Sequence, residues 1–274
     1  MIRNIKNHLL LFVILSCNLS GQKSSFIYEL KYKPHTDSIR LETITYYLDT
    51  DKDVSLFRSV MFRESDSLAA KRGYPNGFDL EFNNKQLYVK KDTKENTVLK
   101  YVFIPIVYST FAIKMNEKLD WKILPEKQTI GKYLCQKAVG SYGGRVWNAW
   151  FTSDVPISDG PYIFNGLPGL IIKITDDKGD YDFELVQIKD FKWKELYPAK
   201  YKKLISWEGF QKIQTDFYNN PLSTLKKGDV LNEDASGTLS EANHRDMTKS
   251  IRKNIRSKNN PIELNYKVDF KTTD

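Results

Sequence analysis

The chain has 274 residues, with 42 Lys and Arg against 34 Asp and Glu, 41% hydrophobic residues, 2 Cys and 3 His. That length can bury a core without disulfide staples, and the apolar fraction is too high for a disordered tail. Two cysteines exclude a disulfide scaffold or a four-cysteine zinc knuckle, and so few histidines leave little room for histidine-based metal chemistry.

The N-terminus places Arg3 and Lys6 ahead of an uncharged apolar run, Leu9 to Leu15. This basic-then-apolar order, too short to span a bilayer, predicts a signal peptide over residues 1–21. Small Ser20 and Gly21 favour cleavage that leaves Gln22 first. The alternative is Ile14-Leu15-Ser16-Cys17, which resembles a lipobox with Cys17 acylated. Either route predicts an exported protein, periplasmic or outer-membrane associated, with a possible lipid anchor at Cys17. Cys135 is then the only thiol, so no internal disulfide is expected. No later stretch is apolar over the length of a membrane helix.

Strand-like segments follow. Residues 26–33 alternate with Phe26, Tyr28, Leu30 and Tyr32 on one face, and Pro34 ends the run. Residues 39–48 favour strand, and Asp49, Asp51 and Asp53 punctuate the chain as a hairpin turn. Residues 55–63 read as strand and 65–71 as a short helical or turn element. Strands are expected over 78–82, 86–91, 98–108, 121–124, 133–139, 146–151, 170–175 and 181–188. In the 133–139 run, Tyr133, Cys135, Lys137 and Val139 share one face, with Cys135 as a small buried hydrophobe. Two helices come late: 207–218, with Phe210, Ile213 and Phe217 as its core stripe, and 240–257, with Met247, Ile251 and Ile255. Residues 225–237 read as a loop. The pattern predicts one domain over 22–274, mainly β (a β-rich α+β fold). Its single antiparallel sheet forms an open or half-closed barrel, with two helices packed late in the chain.

Catalytic motifs are missing: no HExxH, CxxC, GxSxG, P-loop or GxGxxG occurs. The Asp49-Asp51-Asp53 spacing mimics an EF-hand start but fails at Val54 and Val60, where Gly and Glu are needed. Asp176 to Asp180 reads as a turn. No catalytic residue, metal ligand or cofactor is nominated. The basic residues are spread along the chain and no nucleic-acid motif is present. The densest cluster, on the 240–257 helix, is either a solvated face or a weak attraction for anionic lipid. A hydrolase whose carboxylates assemble only in the fold is the rival to a binding protein.

One stretch is specific. In residues 147–174, Trp147 and Trp150 fall on opposite faces of a strand. Leu167-Pro168-Gly169-Leu170 fits a type II turn, and a strand apolar on both faces follows. So stiff a loop either plugs one end of the sheet or supplies a binding surface, for which Trp147, Trp150 and Tyr162 are the candidates. Gly160, Pro161, Phe164, Gly166, Leu167, Pro168, Gly169, Leu170 and Ile171 spell GPxxFxGLPGLI. This resembles the GLPGLI family of exported proteins, mostly from Bacteroidota. Trp121, Ile130, Gly131, Cys135, Lys137-Ala138, Gly144-Arg145, Ala149-Trp150 and Asn260-Pro261-Ile262-Glu263 extend the resemblance. It implies an exported protein without established activity, often associated with TonB-dependent outer-membrane receptors. The expectation is a non-catalytic cell-envelope protein that binds an apolar ligand or an outer-membrane partner.

Overall fold

Eleven strands make one antiparallel sheet: β1 (Ser24–Tyr32), β2 (Glu42–Asp51), β3 (Val54–Ser59), β4 (Tyr88–Asp92), β5 (Thr97–Ile104), β6 (Ser109–Lys114), β7 (Lys122–Ile130), β8 (Tyr133–Tyr142), β9 (Arg145–Thr152), β10 (Leu170–Asp176) and β11 (Tyr181–Asp190). The computed structural model describes residues 23–73, 86–105, 109–226, 228–233 and 236–272. The signal peptide expected over residues 1–21, Cys17 and the strand expected over 78–82 lie outside the described residues.

The strand order is β6-β5-β4-β3-β2-β1-β11-β10-β9-β8-β7. Every sheet neighbour is a sequence neighbour except β1 and β11. Two meanders are therefore zipped together, and the two edges, β6 and β7, are consecutive in the chain. The sheet is not closed, as expected for an open or half-closed barrel. Residues 115–121 link the edges, with Met115, Leu119 and Trp121 packed against the main core. Each edge is protected. Residues 202–205 pair with β6 through the bonds from Ala112 N to Lys203 O (3.2 Å) and from Ile205 N to Ala112 O (2.9 Å). Strand β7 carries Lys122, Pro125, Glu126 and Lys127 and a register irregularity, features that discourage strand addition.

Alternation sorts the side chains into two layers. Phe26, Tyr28, Leu30 and Tyr32 of β1 face one large core with Trp147 of β9 and Phe183 of β11. On the other face of β3–β5, Leu56, Tyr88, Tyr101 and Phe103 pack under Phe62, Phe191 and Leu196. The alternation expected in β8 breaks: Cys135 and Ala138, three apart, are both fully buried, beside the register shift in β7.

Among the described residues three α-helices complete the fold: α1 (Val60–Arg72), α2 (Trp207–Asn219) and α3 (His244–Ser257). Phe210, Ile213 and Phe217 of α2 face Val102, Ile104 and Ile113, with Ile251 and Ile255 of α3 beside them. Arg252 of α3 donates to the carbonyls of Tyr218 (2.9 Å) and Asn219 (2.5 Å), and Arg256 donates to Tyr218 Oη. Arg252 therefore satisfies carbonyls at the end of α2 and Arg256 holds its Tyr218 side chain, so these two basic residues are half-buried against α2.

Helix α1 begins five residues before the short element expected over 65–71. Ser59 Oγ accepts from Phe62 N as its N-cap, and Gly73 at φ +86° closes it with a bond to Ala69 O. Its buried residues include Ser65, Asp66 and Ser67, so it lacks the apolar stripe that marks a helix in sequence. Helix α3 starts at His244 instead of residue 240, because Asn243 caps it by accepting from Arg245 N and Asp246 N. Ahead of it, β12 (Leu231–Glu233) and β13 (Leu239–Glu241) pair as a small hairpin in and beside the stretch read as a loop. Among the described residues no helix is long and apolar enough to cross a membrane.

Candidate functional site

The GLPGLI segment lies against the core face of the sheet. Pro161, Tyr162, Ile163, Phe164, Leu167, Leu170 and Ile171 are buried, while Gly166 and Pro168 are exposed. Strands far apart in sequence hold it. Tyr28 Oη of β1 donates to Ile171 O (2.6 Å), Lys91 Nζ of β4 donates to Gly160 O (2.7 Å), and Trp121 Nε1 donates to Asn165 O (2.7 Å). Lys91 also pairs with Asp159. Burial pulls the Lys91 ammonium below its ordinary value, and Asp159 opposes that shift.

The bend at the motif is tighter than the expected type II turn. Gly169 N donates to Leu167 O (2.8 Å), while Leu170 N bonds Val155 O (3.1 Å). The i→i+2 bond makes Pro168 the centre of a three-residue turn. The amide that a type II turn would use instead opens β10. Gly169 has φ +149°, and a Cβ there would lie 2.0 Å from Thr152 O. Gly160 packs on Ile171, whose Cδ1 would sit 2.7 Å from an added Cβ. The glycines let backbone and side chain approach closely.

Tyr162 follows with φ +54°, uncommon for a residue bearing a Cβ. Its hydroxyl donates to Glu263 Oε1 and accepts from Lys100 Nζ (2.8 Å). Tyr142 Oη donates to the same carboxylate oxygen (2.8 Å), and Lys100 Nζ donates to Oε2 (2.8 Å). Burial, reinforced by the Glu263 charge, raises both tyrosines well above their ordinary value, so they stay neutral donors.

A second buried cluster adjoins the first. Arg145 uses all five of its N–H donors: Nε to Ile262 O, Nη1 to Asp176 and Asp180 (2.6 and 3.0 Å), and Nη2 to Asn260 Oδ1 and Pro261 O (2.7 and 3.0 Å). Burial raises the Asp180 carboxyl, but hydrogen bonds from Arg145 and Lys33 outweigh it and hold the group below its usual range. Arg145 and Glu263 thus tie residues 260–263 onto the strands. Dispersed motif positions from the sequence, Trp121, Gly144-Arg145, the 160–171 segment and Asn260 to Glu263, meet in one place.

Trp147, Trp150 and Tyr162 do not form a common surface. Trp147 is fully buried, with Nε1 donating to Tyr142 O (3.1 Å), and Tyr162 is fully buried in the Glu263 cluster. Only Trp150 is partly exposed, beneath Lys137 on the outer face. Beside Lys100 and Glu263 a recess holds about 80 Å³, room for a few waters. Spacing could not reveal these clusters. Asp176 and Asp180 read as turn residues, and their partner Arg145 lies 31 residues before the first of them.

A third polar cluster lies on the outer face under α1. Arg58, fully buried, reaches Asp66 (2.5 Å), Asp49 (3.5 Å) and the carbonyl of Leu196 (2.6 Å). Asp49, the first carboxylate of the rejected calcium pattern, is therefore buried under Arg58 and Arg63. Among the described residues no group of three or more His, Cys, Asp or Glu side chains is placed to hold a metal.

Residues 144–173 match the sequence profile of a family described as "Protein of unknown function (Porph_ging)". The GLPGLI resemblance falls on the same segment. No curated protein matches the chain. Among solved structures the chain is similar to PNGF-II in its C2 and P21 crystal forms, each with a TM-score of 0.51 and 18% identity. The likeness covers 70% of this chain but only 32% and 33% of those chains, so it spans about a third of PNGF-II and is one of fold.

Proposed function

We propose that this is a non-catalytic accessory protein of the cell envelope, which uses its outer surface to bind a protein partner, for example an outer-membrane receptor of the TonB-dependent kind. The observation that carries this reading is that, among the described residues, the core face of the sheet is packed with side chains, in contrast to the open cleft on the outer face. An apolar ligand of ordinary size needs a pocket of roughly 300–1,000 Å³. Here the GLPGLI segment lies on the core face of the sheet, and the recess beside Lys100 and Glu263 holds about 80 Å³. The hydrolase alternative asks for a carboxylate free to move a proton. Glu263 instead accepts from two tyrosines and a lysine, an arrangement that supports a structural clamp.

Export belongs to the proposal, with residues 1–21 removed or Cys17 acylated. Intact-mass measurement of the mature protein distinguishes these forms, and a mass equal to the full chain overturns export. For the partner, the tagged protein is cross-linked in the producing cell and recovered from the envelope fraction. One enriched outer-membrane protein is the expected result. Recovery of none, together with a stoichiometric lipid in native mass spectra, overturns the reading in favour of a ligand carrier.

A further inference from the structure

A cleft of about 690 Å³ opens on the outer face of the sheet, where β1, β2 and β11 meet α1. Arg63 of α1 forms its wall, and the guanidinium is fixed on several sides. Nε and Nη2 fork onto Asp49 (2.8 and 3.1 Å), and Nη2 also reaches Ser25 Oγ (3.3 Å). The ring centroids of Tyr47 and Trp193 lie 4.3 and 4.4 Å from the guanidinium carbon. Nη1 makes no hydrogen bond among the described residues.

Two lysines line the same cleft. Lys189 of β11 sits directly opposite Ser25 of β1 in the ladder, and Lys192 follows just beyond the strand. Neither lysine makes an ion pair or side-chain hydrogen bond among the described residues. Asp49 is fully buried and already shared between Arg58 and Arg63. The other carboxylate at the cleft is Asp190. Three cations therefore line one concavity, and their like charges repel unless an anion lies between them. The aromatic clamp has already removed the rotamer freedom of Arg63, so little ordering remains to oppose binding.

We propose that this cleft binds a phosphate group. A phosphate monoester carries close to two charges and three acceptor oxygens, which suits three separate cationic donors better than a carboxylate does. The group can belong to a soluble phosphate ester or to an anionic lipid headgroup; both present the same oxygens. This inference does not depend on the protein-partner reading above.

The test titrates the mature protein with inorganic phosphate and with phosphoserine by calorimetry at low salt. In parallel it is sedimented with phosphatidylcholine vesicles, with and without phosphatidylglycerol. Variants are Lys189→Gln with Lys192→Gln, which removes two unpaired charges without touching the core, and Trp193→Leu, which loosens the clamp. Saturable phosphate binding is expected, weakened about tenfold or more in the double lysine variant. The Trp193→Leu variant should be weakened less, with circular dichroism unchanged in both. Vesicle capture that free phosphate displaces identifies the headgroup as the source. Phosphoserine binding without vesicle capture identifies a soluble ester. Binding equally tight in the double lysine variant overturns the proposal, as does vesicle capture that phosphate cannot displace with no saturable phosphate binding.

Discussion

Replacing Gly169 with alanine puts the physical reading of the GLPGLI segment at risk. Gly169 has φ +149°, a conformation that L-residues rarely adopt, at a cost of about 1–3 kcal/mol. A Cβ there would also lie 2.0 Å from Thr152 O, 2.6 Å from Thr152 C and 3.0 Å from Ser153 N. Those atoms are backbone, and Thr152 pairs with Leu170 across β9 and β10, so retreat would break the ladder. Forcing such an overlap costs roughly another 1–3 kcal/mol. The Gly169→Ala protein should therefore lose about 2–6 kcal/mol, or roughly 4–24 °C in Tm for a chain of this size. Gly166 is the internal control. Its φ is +89°, but an added Cβ meets nothing closer than Trp121 Cδ1 at 3.9 Å, so Gly166→Ala should cost only about 1 kcal/mol. Urea unfolding followed by near-ultraviolet circular dichroism, with calorimetry for Tm, measures both. A Gly169→Ala protein within about 0.5 kcal/mol of wild type, or equal losses for both glycines, would refute the packing argument.

Arg145→Met leaves the buried Asp176 carboxylate without its cation, while Asp180 keeps Lys33, and breaking a buried pair in this way costs about 3–5 kcal/mol. Limited proteolysis should then cut near residues 258–265, which Arg145 otherwise holds down; an uncut C-terminal segment would contradict the hub role. Acid sensitivity should run through Asp180, whose folded carboxyl titrates below its ordinary 3.8. A depressed acid stabilises the fold above the unfolded value and loses that contribution as pH falls through the folded one. Unfolding midpoints should thus fall more steeply below pH 3.8 in wild type than in Asp180→Asn, and parallel slopes would count against the assignment. Burial pushes the Cys135 thiol up to about 11, so a thiol reagent at neutral pH should label it only after unfolding. Stoichiometric labelling of the native protein would show that Cys135 is not sealed.

Much of the architecture was legible because strand periodicity is local. Phe26, Tyr28, Leu30 and Tyr32 face the core as their alternation required. The stripe of α2 was readable for the same reason, since Phe210, Ile213 and Phe217 lie on one side of a single helix. Helix α1 was legible only as a short helical or turn element over 65–71, because its buried residues include Ser65, Asp66 and Ser67, and Asp66 finds its partners Arg58 and Tyr88 on other elements. The candidate site was legible as a motif and opaque as geometry. Glycine and proline at 160–169 announced a stiff turn. The choice between plug and binding surface depended on what the loop would meet, and it meets β1, β4 and the segment before β7.

The sequence alone determined the mainly antiparallel β class and the stiffness of the GLPGLI segment, because alternation and backbone freedom are properties of neighbouring residues. It also showed the lack of any recognised catalytic motif. Only the tertiary structure decided which charged residues pair inside the molecule. Arg145 with Asp176, Lys100 with Glu263 and Arg58 with Asp66 stand 31, 163 and 8 residues apart. A charge is tolerated in an apolar interior only when its partner arrives with it, and that meeting depends on elements distant in sequence packing together.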